Sequence, residues 1–139
     1  FRMTDMQAAL GTVQIQKLHQ FNRQRIQNAA YLNQNLKGVT IPQSPEGYKH
    51  VYHQYTIRIK PEMRDALQIH LQECGIGTGV FYPVPVHQQS FYRNELGYNV
   101  VLPHTEAAAA EVLSLPVHPS LTERDLAAIV SAVNEFNQG

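Results

Sequence analysis

The sequence predicts an α+β fold: a long N-terminal helix and a small antiparallel sheet covered by helices on one face. Three observations carry that expectation. Apolar residues recur at helical spacing in several stretches, and most of these open on a capping residue or a proline. The stretch from Tyr52 to Ile59 alternates instead, with Tyr55, Ile57 and Ile59 on one side and Gln54, Thr56 and Arg58 on the other. The strand-like segments between these helices are few and short.

The elements follow in order. Thr4 and Gln7 have the spacing of a capping box, a hydroxyl that caps and an amide that reaches back. The helix they open carries Met6, Ala9, Leu10, Val13, Leu18, Phe21, Ile26, Ala29, Leu32 and Leu36 at spacings of mostly three and four. Its polar face is rich in glutamine, and Gly38 is expected as the C′ residue. A continuous helix of this length would run about 50 Å at roughly 1.5 Å per residue. A break near His19 to Asn22 is therefore expected, giving two helices at an angle. Part of the apolar face is expected to pack on something outside this chain. On this basis residues 1–38 form a helical segment, and residues 39–139 a small α+β domain.

A loop at Pro42 to Gly47 precedes the alternating strand. Pro61 then sits where N1 of a helix would be, and that helix carries Met63, Leu67, Ile69 and Leu71 and ends at Gly75. Gly75 to Phe81 reads as a short strand leaving it. Beyond, Pro83 and Pro85 force an extended path, because each fixes its own φ and pushes the preceding residue towards β or polyproline geometry. Tyr82 and His87 stand at the two ends of this stiff segment. Polar-tipped rings on a rigid loop are candidate ligand contacts. Tyr98 to Val101 is loop, an alanine-rich helix runs from Leu102-Pro103 through Val112, and Leu113 to Pro116 is a short strand. Thr122 to Asp125 caps a final helix that buries Leu126, Ile129, Val130, Val133 and Phe136 and closes at Gly139.

Composition narrows the function. The chain has 139 residues, 43% hydrophobic and 16% charged, which fits a soluble globular protein. Its formal net charge is zero, which argues against a general nucleic-acid binder. No apolar run reaches the roughly 20 residues that span a bilayer, so no membrane association is expected. The single cysteine, Cys74, rules out an internal disulfide, suits a reducing, cytoplasmic compartment and is expected to be half-buried. The first residues, Phe1-Arg2-Met3, fall almost on a helix cap, as in a piece of a longer protein.

No familiar catalytic pattern appears. His50 and His53 would point to opposite faces of a strand, so no metal site is expected despite seven histidines. No serine sits in a nucleophile elbow. The glycines at 75, 77 and 79 follow a helix, whereas a nucleotide-binding fingerprint follows a strand and opens a helix.

Four segments together resemble one family. Arg2-Met3, Asp5 and Gln7-Ala8-Ala9-Leu10-Gly11 resemble the N-x-R-M-x-x-x-Q-A-A-x-G segment of the DegT/StrS-type aminotransferases. His50, His53 and Tyr55 resemble that family's H-x-x-H/Y-x-Y strand. Gly75-Ile76 and Thr78, followed by Tyr82-Pro83, Pro85, His87 and Gln89, resemble its G-I-x-t and Y-P-x-P-x-H stretch. Ser114-Leu115-Pro116 and Pro119 resemble its L-S-L-P-x-x-P. The matches run in order along essentially the whole chain.

The resemblance implies the small domain of a fold-type I enzyme dependent on pyridoxal 5′-phosphate (PLP). The 1–38 segment would link it to a large PLP-binding domain. It implies transfer of an amino group, usually from glutamate in this family, to a nucleotide-linked keto sugar, with a homodimer as the working form. Arg2 matches a position near the PLP phosphate of the neighbouring subunit, where a guanidinium pairs phosphate well. Tyr82 and His87 match the loop that approaches sugar and diphosphate. His53 and Tyr55 are candidate orienting or packing residues. Lys17, Lys37, Lys49 and Lys60 do not match the family's Schiff-base lysine. This chain alone is therefore expected to be inactive. The alternative is a structural, dimerisation or regulatory module of the same fold.

Overall fold

A computed structural model describes residues 2–137. The elements are α1 (Asp5–Asn35), β1 (Tyr55–Arg58), α2 (Pro61–Glu73), a 3₁₀ turn (Val86–Gln88), a π-helical turn (Phe91–Glu95), α3 (Pro103–Glu111), β2 (Val112–Leu115) and α4 (Glu123–Phe136). β1 and β2 pair antiparallel, with Tyr55 opposite Leu115 and Ile57 opposite Leu113. Single bridges extend this pair on both sides, Thr40 to Arg58 and Gly79 to Ser114.

The core follows from the alternation. Tyr55, Ile57 and Ile59 are buried, while Arg58 between them is exposed. They join Leu113 and Leu115 of β2, Leu67 and Leu71 of α2, Leu126, Ile129 and Val133 of α4, and Ala29 and Leu32 of α1. On the opposite face Thr56 and Ser114 pair their hydroxyls at 2.8 Å. Both expected capping boxes are present, Thr4 with Gln7 and Thr122 with Asp125. Each is worth about 1 kcal/mol to its helix. Pro61 occupies the start of α2, and Gly75, with φ +77°, follows its end.

Several expectations need correction. α1 does not break at His19 to Asn22; it is one helix of 31 residues. Those positions hold no glycine or proline, and nothing else there interrupts the hydrogen-bond ladder. Gly38 is not the C′ residue, because the cap is Leu36. Asparagines of α4 close this end instead. Lys37 N–H donates to Asn134 Oδ1 at 2.8 Å, and Asn134 Nδ2 donates to the Asn35 carbonyl at 3.0 Å. Asn137 Nδ2 donates to the Lys37 carbonyl at 3.1 Å. Gly38 is needed for closeness: at φ +73°, a Cβ there would lie 2.7 Å from Asn137 Cγ.

The strand predicted from Tyr52 begins only at Tyr55. Tyr52 adopts φ +47°, and its N–H donates to His50 Nδ1 at 2.9 Å, a local turn in place of a ladder. The strand predicted over Gly75 to Phe81 reduces to the one bridge at Gly79. Ile69 and Cys74 are exposed, on the outer side and at the end of α2. The closing glycine, Gly139, lies outside the described residues.

Residues 2–20 are exposed along their whole length. Their apolar stripe, including Met6, Leu10, Val13 and Leu18, faces solvent in this chain. Only the last turns of α1 enter the core, through Asn28, Ala29 and Leu32. Among the described residues, no helix is long and apolar enough to cross a membrane.

Candidate active-site loop

The segment from Gly79 to Tyr92 leaves the sheet and returns towards α3. Its root is fixed by two backbone bonds: Gly79 N–H donates to the Ser114 carbonyl at 3.2 Å, and Ser114 N–H donates to the Gly79 carbonyl at 2.8 Å. The Phe81 ring folds back over Gly79, so a larger residue there would push that ring aside. A Cβ on Gly79 would lie 2.5 Å from Phe81 Cζ. The chain bends at Phe81 and again at Pro83 and Val84, and after Pro85, with ψ 148°, makes one 3₁₀ turn at Val86–Gln88. The extended path predicted from the prolines is therefore bent between them, and His87 lies on the turn that follows.

Tyr82 and His87 occupy different environments. The Tyr82 side chain projects outward, 75% exposed. The His87 ring is only 9% exposed, with Nε2 3.0 Å from Glu106 Oε1. The same Glu106 oxygen accepts the Leu102 N–H at 2.9 Å, at the start of α3. The Leu102 N–H foremost, and then His87, hold the Glu106 carboxyl below its ordinary value of 4.5.

Several clefts border the loop, one of them lined by Tyr82, Pro83, Val84, Gln88, Gln89 and Ser90 of the loop itself. Another, about 280 Å³, lies between Tyr82, Pro85 and the α3 residues Thr105 and Ala109. A third, about 460 Å³, is lined by Arg25, His53, Thr78, Phe81 and His118 among others. Its size suits a small-molecule ligand. Arg25 Nε is buried with no hydrogen-bond partner among the described residues.

The predicted site residues are thus only partly gathered. Tyr82 lies on the loop and His53 beside it, both bordering clefts that share Phe81. Tyr55 is in the core, 0% exposed, with its hydroxyl donating to Asn33 Oδ1 at 2.6 Å. Burial first, and then Tyr52, raise its pKa far above the usual tyrosine range. Arg2 is exposed just before the α1 cap, beyond the exposed half of that helix. Sequence reasoning missed Arg25 and Glu106. An acidic residue in the first turn after Pro103 marks a helix start. Nothing local announces its pairing with His87.

The model of the DegT/DnrJ/EryC1/StrS aminotransferase family matches residues 1–134. The chain belongs to this family. Among curated relatives it is 40% identical over 141 residues to a "Pleiotropic regulatory protein" of Geobacillus stearothermophilus, covering 97% of this chain and 37% of that protein. It is 33% identical over 140 residues to a UDP-N-acetyl-3-dehydro-alpha-D-glucosamine 3-aminotransferase of Acidithiobacillus ferrooxidans, covering 99% and 37%. Among solved structures, DesV of S. venezuelae in complex with a ketimine intermediate superposes with TM-score 0.90 at 35% identity, over 99% of this chain and 38% of that one. NtdA of Bacillus subtilis, with bound cofactor PMP, superposes with TM-score 0.89 at 25% identity, over 99% and 33%. The chain thus spans a little over a third of the curated relatives' length. Its helix-rich architecture with a small antiparallel sheet is the one found in these family structures.

The family depends on PLP, which needs a lysine for its aldehyde, a carboxylate at its ring nitrogen and a face to stack on. Lys17, Lys37, Lys49 and Lys60 are all exposed. Lys60 borders a cleft with Glu111, but that carboxylate is bonded to the Arg58 guanidinium. The described residues do not assemble a cradle for PLP.

Proposed function

We propose that this chain is the small-domain portion of a PLP-dependent aminotransferase that moves an amino group, from glutamate, to a nucleotide-linked keto sugar. Residues 1–38 would lead to a large domain that supplies the Schiff-base lysine and most of the cofactor site. Residues 39–139 would form the small domain, with the Asn28 to Leu32 end of α1 seated in it. The likeness to DesV over 99% of the chain is the observation that carries this reading. The exposed apolar stripe of residues 2–20 supports the placement of further protein against α1.

Within this reading Tyr82 is the loop residue offered to the sugar nucleotide, its phenol able to donate to a sugar or phosphate oxygen. His53 borders the adjacent cleft, and Arg2 meets the cofactor phosphate of a second subunit in a homodimer. The direct test is amination of a UDP- or dTDP-linked keto sugar by the full-length protein, with glutamate as donor. Loss of activity in a variant of its cofactor lysine is expected. Visible absorbance of bound PLP without amination of either keto sugar would refute the reading.

The similarity to the pleiotropic regulatory protein favours a second reading, a regulatory or structural member of the same fold. Under that reading the full-length protein has no lysine at the Schiff-base position and takes up no PLP.

A further inference from the structure

The Tyr82 loop is held at two points of different kinds. At Gly79 the hold is backbone to backbone, on β2. At His87 it is side chain to side chain, on Glu106 at the start of α3. Between these points Pro83 and Pro85 leave the chain little freedom at φ. A fixed His87 therefore fixes the direction in which the chain leaves Tyr82. The burial agrees: the ring that grips is 9% exposed and the ring that projects is 75% exposed.

Glu106 could cap α3 through Leu102 alone. The same oxygen instead meets both the Leu102 N–H and the His87 ring. One carboxylate thus joins helix start and loop. Nε2 of His87 is taken up by the carboxylate, which leaves only Nδ1 to meet a phosphate. Its ring has little exposed surface with which to meet a ligand.

We propose that Glu106 is a positioning residue: through His87 it pins the far end of the loop and holds Tyr82 out towards the sugar nucleotide, with His87 as the anchor rather than a contact. This rests on the reading of the Tyr82 loop as substrate-facing.

The test uses the full-length protein and two readouts, hydrogen exchange over residues 79–92 and the affinity for UDP and dTDP by calorimetry. Glu106→Ala and His87→Ala are expected to speed exchange of the loop roughly tenfold, the scale of one lost charge-assisted hydrogen bond. His87→Ala keeps the bond from Leu102 to Glu106, so residues 103–111 are expected to stay protected. Loop exchange in the double variant is expected to match His87→Ala, because both changes cut one link. Glu106→Gln retains an oxygen that accepts from both donors, and it is expected to restore both loop protection and affinity. Unchanged loop exchange in His87→Ala and Glu106→Ala would overturn the clamp. So would a failure of Glu106→Gln to rescue while α3 stays protected. Tyr82→Phe separates the two ideas. If it leaves affinity for both nucleotides unchanged while His87→Ala loosens the loop, the substrate-facing reading fails and the clamp stands.

Discussion

Tyr55→Phe removes one oxygen atom from the centre of the fold. The phenol is buried and donates to Asn33 Oδ1 at 2.6 Å. Losing such a bond costs about 1 kcal/mol net, and Asn33, only half-buried, can take water in its place. For a chain of this size that lowers Tm by roughly 4 °C. The pH dependence provides a second, signed test. Burial, with Tyr52 adding to it, keeps the folded phenol protonated above the ordinary pKa of 10.0. The unfolded chain loses that proton first, so the Tyr55 contribution is whole below pH 10 and shrinks as pH rises above it. The difference in stability between wild type and Tyr55→Phe should therefore narrow above pH 10, by no more than about 1.4 kcal/mol per pH unit. Urea unfolding of the pair from pH 7 to 11 measures both effects, with nucleotide affinity taken alongside. A Tyr55→Phe variant of wild-type stability but weakened nucleotide binding would refute the core placement and return Tyr55 to the ligand site.

Other expectations follow from the same contacts. Leu67→Ala empties a fully buried site between α2 and the sheet and should cost about 2–5 kcal/mol in urea unfolding. Gly38→Ala forces a Cβ to within 2.7 Å of Asn137 at a left-handed φ, so chemical denaturation should show a loss of more than about 1 kcal/mol, with Asn137→Ala partly relieving it. Thr122→Ala removes the cap of α4 and should cost about 1 kcal/mol by thermal unfolding. Asp125 is held below its ordinary pKa of 3.8, chiefly by the Thr122 N–H, so its contribution is present above that value and is lost as pH falls below it. Acid unfolding of Asp125→Asn should accordingly be flatter than that of wild type in this range.

Local chemistry was legible in the sequence wherever one residue type has one strong reason to occupy a position. Thr4 with Gln7, Thr122 with Asp125, Pro61 and Gly75 marked helix ends, and the alternation at Tyr55, Ile57 and Ile59 marked the buried face of β1. The non-helical path between Pro83 and Pro85 could also be read, because each proline fixes its own φ, but its bends at Phe81, Pro83 and Val84 could not. What stayed hidden depends on partners far along the chain. Asn134 and Asn137 close α1 from about 100 residues away, which no cap signal near Gly38 announces. The link from His87 to Glu106 is likewise invisible to periodicity. The expected break in α1 arose from treating its length as a reason to bend, although the helix runs on without interruption from Asp5 to Asn35, through Gly11.

That continuity has a mechanical consequence. From the Asn28 anchor to Asp5 the helix is a rigid arm of roughly 35 Å. A tilt of about 5° at the anchored end would carry the free end by about 3 Å, close to one hydrogen-bond length. Small adjustments where Asn28 Nδ2 holds the His118 carbonyl, at 2.9 Å, are thus amplified into displacements at Arg2 large enough to make or break a contact. The Asn28 anchor, beside the cleft that His118 lines, thus sets the aim of the arm.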